Sequence, residues 1–528
     1  MISKKAVDAF LNRNLEEWDW LKNEGKVDLI DAVYDRAPGI KFSKPAPWTH
    51  QWVAYYIGLE LDNFVYLLDA GTGKSRILLD LFALKRHQGR VSTALFVLER
   101  NTNLYDFRDQ IAEHRPEFEV CILDGSSKEK EEAATTTNAD IMLITYQGLV
   151  ALVGEGKQGK KKTPKVNKNL IDILFGHIGF LGVDECQNIS NHNTQSYLAC
   201  NEIAKRAVCR YGTTATPFGR DPQKLWAQFN VVDQGDTLGQ TLGIFRQAFF
   251  NAKQKPFGGI EYTLSEKRKP HLYRTLKHRS IRYMEEECQD LPKRVPPRLH
   301  HIALPKGAEA YYKKVNKQFR EAHGDYQAQE NAFLRMRQIC SGYMGLVKKE
   351  EDEEGAMVVV DKLDFEFANN PKVEELLYQL EQTREDRKTI IFHEFNTSGE
   401  IIAREMSKAG FDSFVSINGR QKRQDNREAL EAFKHDPNVK QAVINVFSGS
   451  TGLNLQVANH THFFESPVSP IKRYQAEKRT RRGGQKLKCF YNDYVVKGGV
   501  EEDILGYLQE GKDLWEEILE GKIKSFKR

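Results

Sequence analysis

The sequence predicts an α/β protein with two parallel-sheet units on either side of a helical stretch, and three patterns carry that reading. Over 41–240, short apolar runs alternate with amphipathic stretches, at Phe64–Leu68, Ala94–Leu98, Ile141–Ile144 and Gly179–Val183, the rhythm of buried parallel strands covered by helices. The alternation returns over 366–495, at Thr389–Phe392, Ala442–Val446 and His462–Phe464. Between them, 241–365 lacks it and is rich in Arg, Lys and aromatics, which predicts a mostly helical insert with the acidic Glu350–Glu354 as a loop. Residues 1–40 read as a helical lead, punctuated by Pro38-Gly39 and then Pro45 and Pro47. Residues 496–528 read as a C-terminal helix, with Leu505, Leu508, Leu514 and Ile518 at roughly helical spacing.

At 528 residues, a prior of about 150 per domain gives three or four units. Lys plus Arg number 78 against 73 Asp plus Glu, a net +5, which permits a polyanionic partner without requiring one. The seven cysteines form no C-x-x-C pair, so neither a zinc site nor a disulfide framework is indicated and a reducing cytoplasm suits them. Met1–Trp20 has no continuous apolar core and no later run approaches about 20 apolar residues, so the expectation is a soluble, unsecreted, cytoplasmic protein. Lys157–Lys168 holds six lysines and no acid. It reads as a surface loop, either simply solvated or touching nucleic-acid phosphates.

The chemistry concentrates in a few motifs. Gly71-Thr72-Gly73-Lys74-Ser75 follows a strand and opens a helix. Glycines there let backbone N–H groups wrap a phosphate, Lys74 can reach the terminal phosphates, and Ser75 can ligate Mg²⁺. Asp184 and Glu185 follow the apolar run ending at Val183, at the C-terminal mouth of a strand where open α/β sheets bind ligands. Asp184 suits Mg²⁺, and Glu185 suits activation of the attacking water. Gln51, about twenty residues before the loop, carries a carboxamide that matches the adenine N6/N7 edge, which favours ATP over GTP. In Gln475–Gln485, Arg479 and Arg482 stand three apart, so on a helix they share a face and aim two guanidinium groups at one polyphosphate. An isolated arginine pair of this kind is ordinarily just a solvated helix end.

Taken in order, these motifs resemble a superfamily 2 helicase-type ATPase of the Swi/Snf family of DNA translocases, from about residue 42 to 510. Phe42–Tyr55 resembles the adenine-reading segment and Asp69–Ser75 motif I. Leu104, Phe107 and Gln110 resemble motif Ia, and Thr145-Tyr146-Gln147 motif Ib. Asp184-Glu185-Cys186-Gln187 resembles motif II, with Gln187 where the family has histidine, and Thr214-Ala215-Thr216-Pro217 with Leu225-Trp226 resembles motif III. Leu291-Pro292-Lys293 and Leu334–Cys340 resemble the L-P-x-K and L-R-Q-I-C signatures of the family's helical insert. Ile391–Phe395 resembles motif IV, Ser450–Leu455 motif V and Gln475–Gln485 motif VI, while Val468-Ser469-Pro470 replaces the family's W-N-P.

The resemblance implies two RecA-like lobes that bind ATP and Mg²⁺ between them, with Lys74, Ser75, Asp184 and Glu185 from one and Arg479 and Arg482 from the other. It implies DNA lying across both, its phosphates held by amides and hydroxyls near Thr145, Thr214, Ser448 and Thr451, without sequence preference. Ordinary turn chemistry is the alternative for each of these Thr and Ser residues. The implied domains are a lead (1–40), lobe 1 (41–240), the insert (241–365), lobe 2 (366–495) and a C-terminal brace (496–528). The implied activity is DNA-dependent ATP hydrolysis with translocation on duplex or branched DNA, in replication, recombination or repair in a bacterial or virus-infected cell. An RNA-stimulated helicase and a non-hydrolysing ATP-gated scaffold are the other readings.

Overall fold

The computed structural model describes residues 4–155, 163–254, 259–288, 295–322, 325–351, 357–384, 386–447, 455–481 and 485–519. Leu291, Pro292, Lys293, Ser448, Ser450, Thr451 and Arg482 lie outside them, as do residues 156–162 of the lysine-rich stretch and 352–356 at the acidic patch. The chain divides into two units, Met1–Gln289 with Asp513–Arg528, and Asp290–Lys512.

The first unit carries β1 (Asn63–Leu68), β2 (Ala94–Leu98), β3 (Val120–Ile122), β4 (Ile141–Thr145), β5 (Phe180–Asp184), β6 (Cys209–Thr214), a hairpin of β7 (Phe250–Gln254) and β8 (Ile260–Leu264), and β9 (Ser280–Tyr283). Among the described residues, seven of these form one sheet in the order β3-β4-β2-β5-β6-β1-β9, every pairing parallel. Burial on both faces makes β2 and β4 apolar almost throughout, because each parallel strand is covered on either side by helices. Trp18, Leu21, Leu29 and Val33 of the N-terminal lead join Trp52, Tyr55, Phe64 and Phe82 in one core, each such burial contributing about 1.5–3 kcal/mol.

The second unit carries β10 (Arg298–Ile302), an antiparallel hairpin of β11 (Tyr343–Glu351) and β12 (Met357–Glu366), then β13 (Thr389–His393), β14 (Phe414–Ile417), β15 (Gln441–Asn445), β16 (His460–Phe463) and β17 (Phe490–Val496). Its six-stranded parallel sheet runs β10-β17-β16-β13-β15-β14. Along β13, Ile390 and Phe392 enter one core while Ile391 enters the other, the alternation expected of a strand covered on both faces. The helix Val500–Leu519 begins with Glu501 paired to Lys372 at 2.5 Å, both buried, and Val500 N–H donating to Tyr312 OH at 2.7 Å.

The fold is therefore α/β with two parallel sheets. The stretch 241–365 differs from the mostly helical expectation, since it also supplies both hairpins, the edge strand β9 and the edge strand β10. β7, β8 and β10 are largely exposed, and β9 is a four-residue Ser-Ile-Arg-Tyr strand, so none of them has the continuous apolar run that marks a central strand. Glu350 and Glu351 end β11 rather than opening a loop. No helix among the described residues is long and apolar enough to cross a membrane.

One buried charge cluster fixes the segment ahead of the first sheet. Asp80, fully buried in the helix Lys74–His87, accepts from Tyr55 OH and from Arg115 Nε at 2.8 Å and is paired with Arg76. Arg76 donates onward to Ser43 O and Pro45 O at 2.8 and 2.7 Å, and Arg115 to Lys41 O at 2.6 Å. Asp80→Ala leaves two buried guanidinium groups without their carboxylate, so it is expected to destabilise the first unit by about 3–5 kcal/mol. Tyr55→Phe removes one hydrogen bond to a charged group and is expected to cost about 1.5–3 kcal/mol. Urea denaturation followed by tryptophan fluorescence compares the two, and equal losses would contradict the charge argument.

Candidate active site

The strand order places β5, β6 and β1 side by side, so the loops leaving their C-terminal ends share one mouth of the first sheet. After β1 the chain passes through Asp69–Gly73 into the helix Lys74–His87. Gly71 has φ 83° and Gly73 φ 76°, left-handed backbone that L side chains rarely adopt. A Cβ on Gly73 would also meet Gln51 Nε2 at 2.4 Å. Thr72 is buried; its hydroxyl donates to Asp69 O at 2.8 Å, and its carbonyl lies 2.8 Å from His50 Nε2. Burial lowers the His50 pKa, so the ring is neutral and can donate through this nitrogen. Gln51 is 2 % exposed and its Oε1 accepts from Trp48 N–H at 2.9 Å, so one face of the carboxamide serves the start of helix Thr49–Glu60. Ser75 lies half-buried in the first turn after the loop.

Lys74 Nζ donates to Glu185 Oε1 at 2.6 Å. Glu185 follows β5 with φ 48° and ψ 54°, left-handed backbone on a residue that is not glycine, strain of the kind that clusters at functional sites. Its carbonyl accepts from Asn188 Nδ2 at 2.9 Å, and the Asp184 carbonyl accepts from Tyr146 OH at 2.6 Å. From Glu185 a line of hydrogen bonds crosses to the end of β6. Gln187 Nε2 donates to Glu185 Oε2 at 2.9 Å, Thr214 Oγ1 donates to Gln187 Oε1 at 2.5 Å, and Thr216 N–H donates to Thr214 Oγ1 at 3.0 Å. Asp184 Oδ1 accepts from Thr213 Oγ1 at 2.6 Å. Thr213 was no candidate from sequence; the signal available was a second hydroxyl directly beside Thr214.

Electrostatics follow this geometry. Burial pulls the Lys74 pKa down, but Glu185 and Asp184 outweigh it and hold the ammonium above its ordinary value. Burial, then the Glu185 charge alongside, pushes Asp184 up to about 6 against the pull of Lys74 and Thr213. A carboxylate whose ionised form is this costly gains from a divalent cation, and magnesium characteristically takes one or two carboxylates together with phosphate oxygens. The left-handed glycines at a helix N-terminus, the ammonium and Asp184 are a donor and charge set that fits ATP with Mg²⁺.

The remaining candidates are placed differently. Thr145 is buried and its hydroxyl accepts from Gly148 N–H at 2.9 Å, capping the helix Tyr146–Val153. The Thr214 hydroxyl is likewise engaged internally, as above. Arg479, in the second unit, follows the helix Pro470–Glu477 instead of riding on it. Arg479 N–H donates to Ala476 O at 3.3 Å and Thr480 Oγ1 to Glu477 O at 3.2 Å, a tightened turn that ends the helix, so the shared helical face expected of Arg479 and Arg482 does not extend to Arg479. Gln485 Nε2 staples this turn to Gln456 O and Ala458 O, both at 2.9 Å.

The SNF2-related domain family matches residues 59–354, and the helicase conserved C-terminal domain matches 371–484. The chain is 22 % identical over 466 residues to the putative ATP-dependent helicase/translocase YwqA of Bacillus subtilis, covering 86 % of this chain and 46 % of that protein. It is 31 % identical over 206 residues to the DNA repair protein rad8 of Schizosaccharomyces pombe, covering 36 % and 18 %. It thus spans about half the length of the first of these relatives and less of the second. Among solved structures, the Sulfolobus solfataricus SWI2/SNF2 ATPase core in complex with dsDNA aligns over 91 % of this chain and 94 % of that one, at 17 % identity and a TM-score of 0.39. The SNF2-related match takes in more than half of the chain, the C-terminal helicase match follows it in order, and the chain belongs to the SNF2-related family, the Swi/Snf-type ATPases of helicase superfamily 2.

Proposed function

We propose that this protein is a DNA-dependent ATPase that translocates on duplex or branched DNA and remodels it by branch migration or limited unwinding. The observation that carries the ATPase half is the Lys74–Glu185 pair at the mouth of the first sheet, tied through Gln187 to Thr214. When bound, ATP with Mg²⁺ supplies the γ-phosphoryl group and the cation that neutralises it, with Gly71–Ser75 and Asp184 as its holders and Gln51 on the adenine side. Lys74 then exchanges Glu185 for phosphate oxygens, and the released carboxylate orients the attacking water and takes its proton. Arg479 and Arg482 supply guanidinium charge to the transition state, a contribution typically worth about 10³-fold or more.

The DNA half is supported by family membership and by relatives named as a helicase/translocase and a DNA repair protein. The hydroxyls of Thr145 and Thr214 are engaged inside the protein, so phosphate contacts there come from the main-chain amides around them, with Ser448 and Thr451 as the second unit's contribution. Such contacts position without reading sequence. The seven cysteines, none in a disulfide, suit a cytoplasmic setting.

Lys74→Ala is expected to abolish ATP turnover while leaving the fold intact; near wild-type turnover in the folded variant would sink the ATPase assignment. Glu185→Gln is expected to bind ATP and hydrolyse it about 10²-fold or more slowly, because the general base is lost. Arg482→Ala is expected to behave similarly and Arg479→Ala somewhat less severely; full DNA-stimulated turnover in either would show the fingers to be misplaced. DNA binding is expected to fall steeply with salt and to be nearly blind to sequence. The output is decided by comparing ATP-dependent strand displacement from a fork or four-way junction with displacement of a triplex-forming strand from linear duplex. Triplex displacement alone would leave a pure duplex translocase, and stimulation by RNA alone would overturn the DNA assignment.

A further inference from the structure

Arg282 belongs to none of the motifs above. It lies on β9, the strand that pairs with the outer side of β1, opposite Leu67 in register. Its side chain, 10 % exposed, passes over the C-terminal end of β1 to the strand beyond. Nη2 is 3.0 Å from Asp69 Oδ1, and Nη1 donates to Ala215 O at 2.9 Å. One guanidinium therefore holds the first residue of the loop after β1 and a main-chain carbonyl of Thr214–Pro217 after β6.

The neighbours of Arg282 hold the same residue. Asp69 is fully buried, its N–H donates to Tyr283 O at 3.2 Å, and its Oδ2 accepts from Glu285 N–H at 3.2 Å. The Thr72 hydroxyl in turn hangs from Asp69 O. Arg282 thereby closes a circuit whose other half runs Lys74, Glu185, Gln187, Thr214. The loop supplies the covalent link from Asp69 to Lys74, and the peptide bond from Thr214 to Ala215 supplies the other.

We propose that Arg282 is a positioning residue for ATP turnover, keeping the phosphate loop and the Thr214–Thr216 segment in fixed register so that Lys74 and Glu185 act on the nucleotide together. The inference rests on the ATPase reading given above. Arginine is required because its planar fork presents separate donors to the two partners, whereas lysine carries one point charge.

The test uses the full chain as wild type, Arg282→Lys, Arg282→Gln and Asp69→Asn. Steady-state ATP hydrolysis with and without duplex DNA is measured alongside thermal melts and binding of a fluorescent ATP analogue. Arg282→Lys retains the pairing with Asp69 and loses the hold on Ala215, so KM for ATP stays within about twofold while DNA-stimulated kcat falls about tenfold. Arg282→Gln and the isosteric Asp69→Asn both break the charge pair, so KM rises about tenfold as well. A lower melting temperature with kcat and KM unchanged in the folded variants would show a purely structural residue and overturn the proposal, as would wild-type kcat in Arg282→Lys. An active wild type with active variants removes only this inference. A wild type that does not hydrolyse ATP removes the ATPase reading and the inference with it.

Discussion

The carboxylate of Glu185 is held by charge on one side and by an amide on the other, and the rest of the active mouth is organised around keeping it there. Lys74 takes one oxygen and Gln187 the other, while the backbone beneath sits in a left-handed conformation that costs about 1–3 kcal/mol to maintain. That strain persists only because the surroundings fix it: Asn188 on the Glu185 carbonyl, Tyr146 on the Asp184 carbonyl, Thr213 on the Asp184 carboxylate. Each stands at or just past the C-terminal end of a different strand of one sheet, Tyr146 after β4, Asn188 after β5 and Thr213 in β6. The strand order alone makes their meeting possible.

Gln187 gives this arrangement a particular character. A histidine at that place changes charge between about pH 5 and 8, and its hydrogen-bond roles change with it. Glutamine offers a donating NH₂ and an accepting carbonyl oxygen and does not titrate. Gln187 therefore keeps its donor side on Glu185 and its acceptor side on Thr214 across the pH range in which a histidine would change charge.

Much of this was legible in the sequence because the signals are local. The loop glycines, Lys74 and the carboxylates after an apolar run carry their chemistry in neighbouring residues, and central strands such as β2 and β4 announce themselves as unbroken apolar runs. What escaped was long-range or edge-dependent. Strands β9 and β10 lie at sheet margins, β10 largely exposed and β9 only four residues long with a serine and an arginine among them, so neither shows an apolar run. Arg282 sits 213 positions from Asp69 and reads as one more cation in a basic stretch; only the pairing of β9 with β1 brings the two together. The hydroxyls of Thr145 and Thr214 showed their residue type but not their direction, and both turn inward, toward a helix cap and toward Gln187. The spacing of Arg479 and Arg482 suggested a helical face, yet the helix closes at Glu477 because its last carbonyls are taken up by the turn that follows.

The position of β1 in its sheet also shapes how the protein is made. Its two partners are β6, which starts at Cys209, and β9, which starts at Ser280. On a ribosome adding roughly 5–20 residues per second, β1 waits on the order of ten seconds or more after its own synthesis before both flanks exist. Until then the strand that leads into Asp69–Gly73 is an open edge, apolar on both faces and able to pair with any passing strand. Among the strands of the first sheet, β1 thus waits longest for its second neighbour.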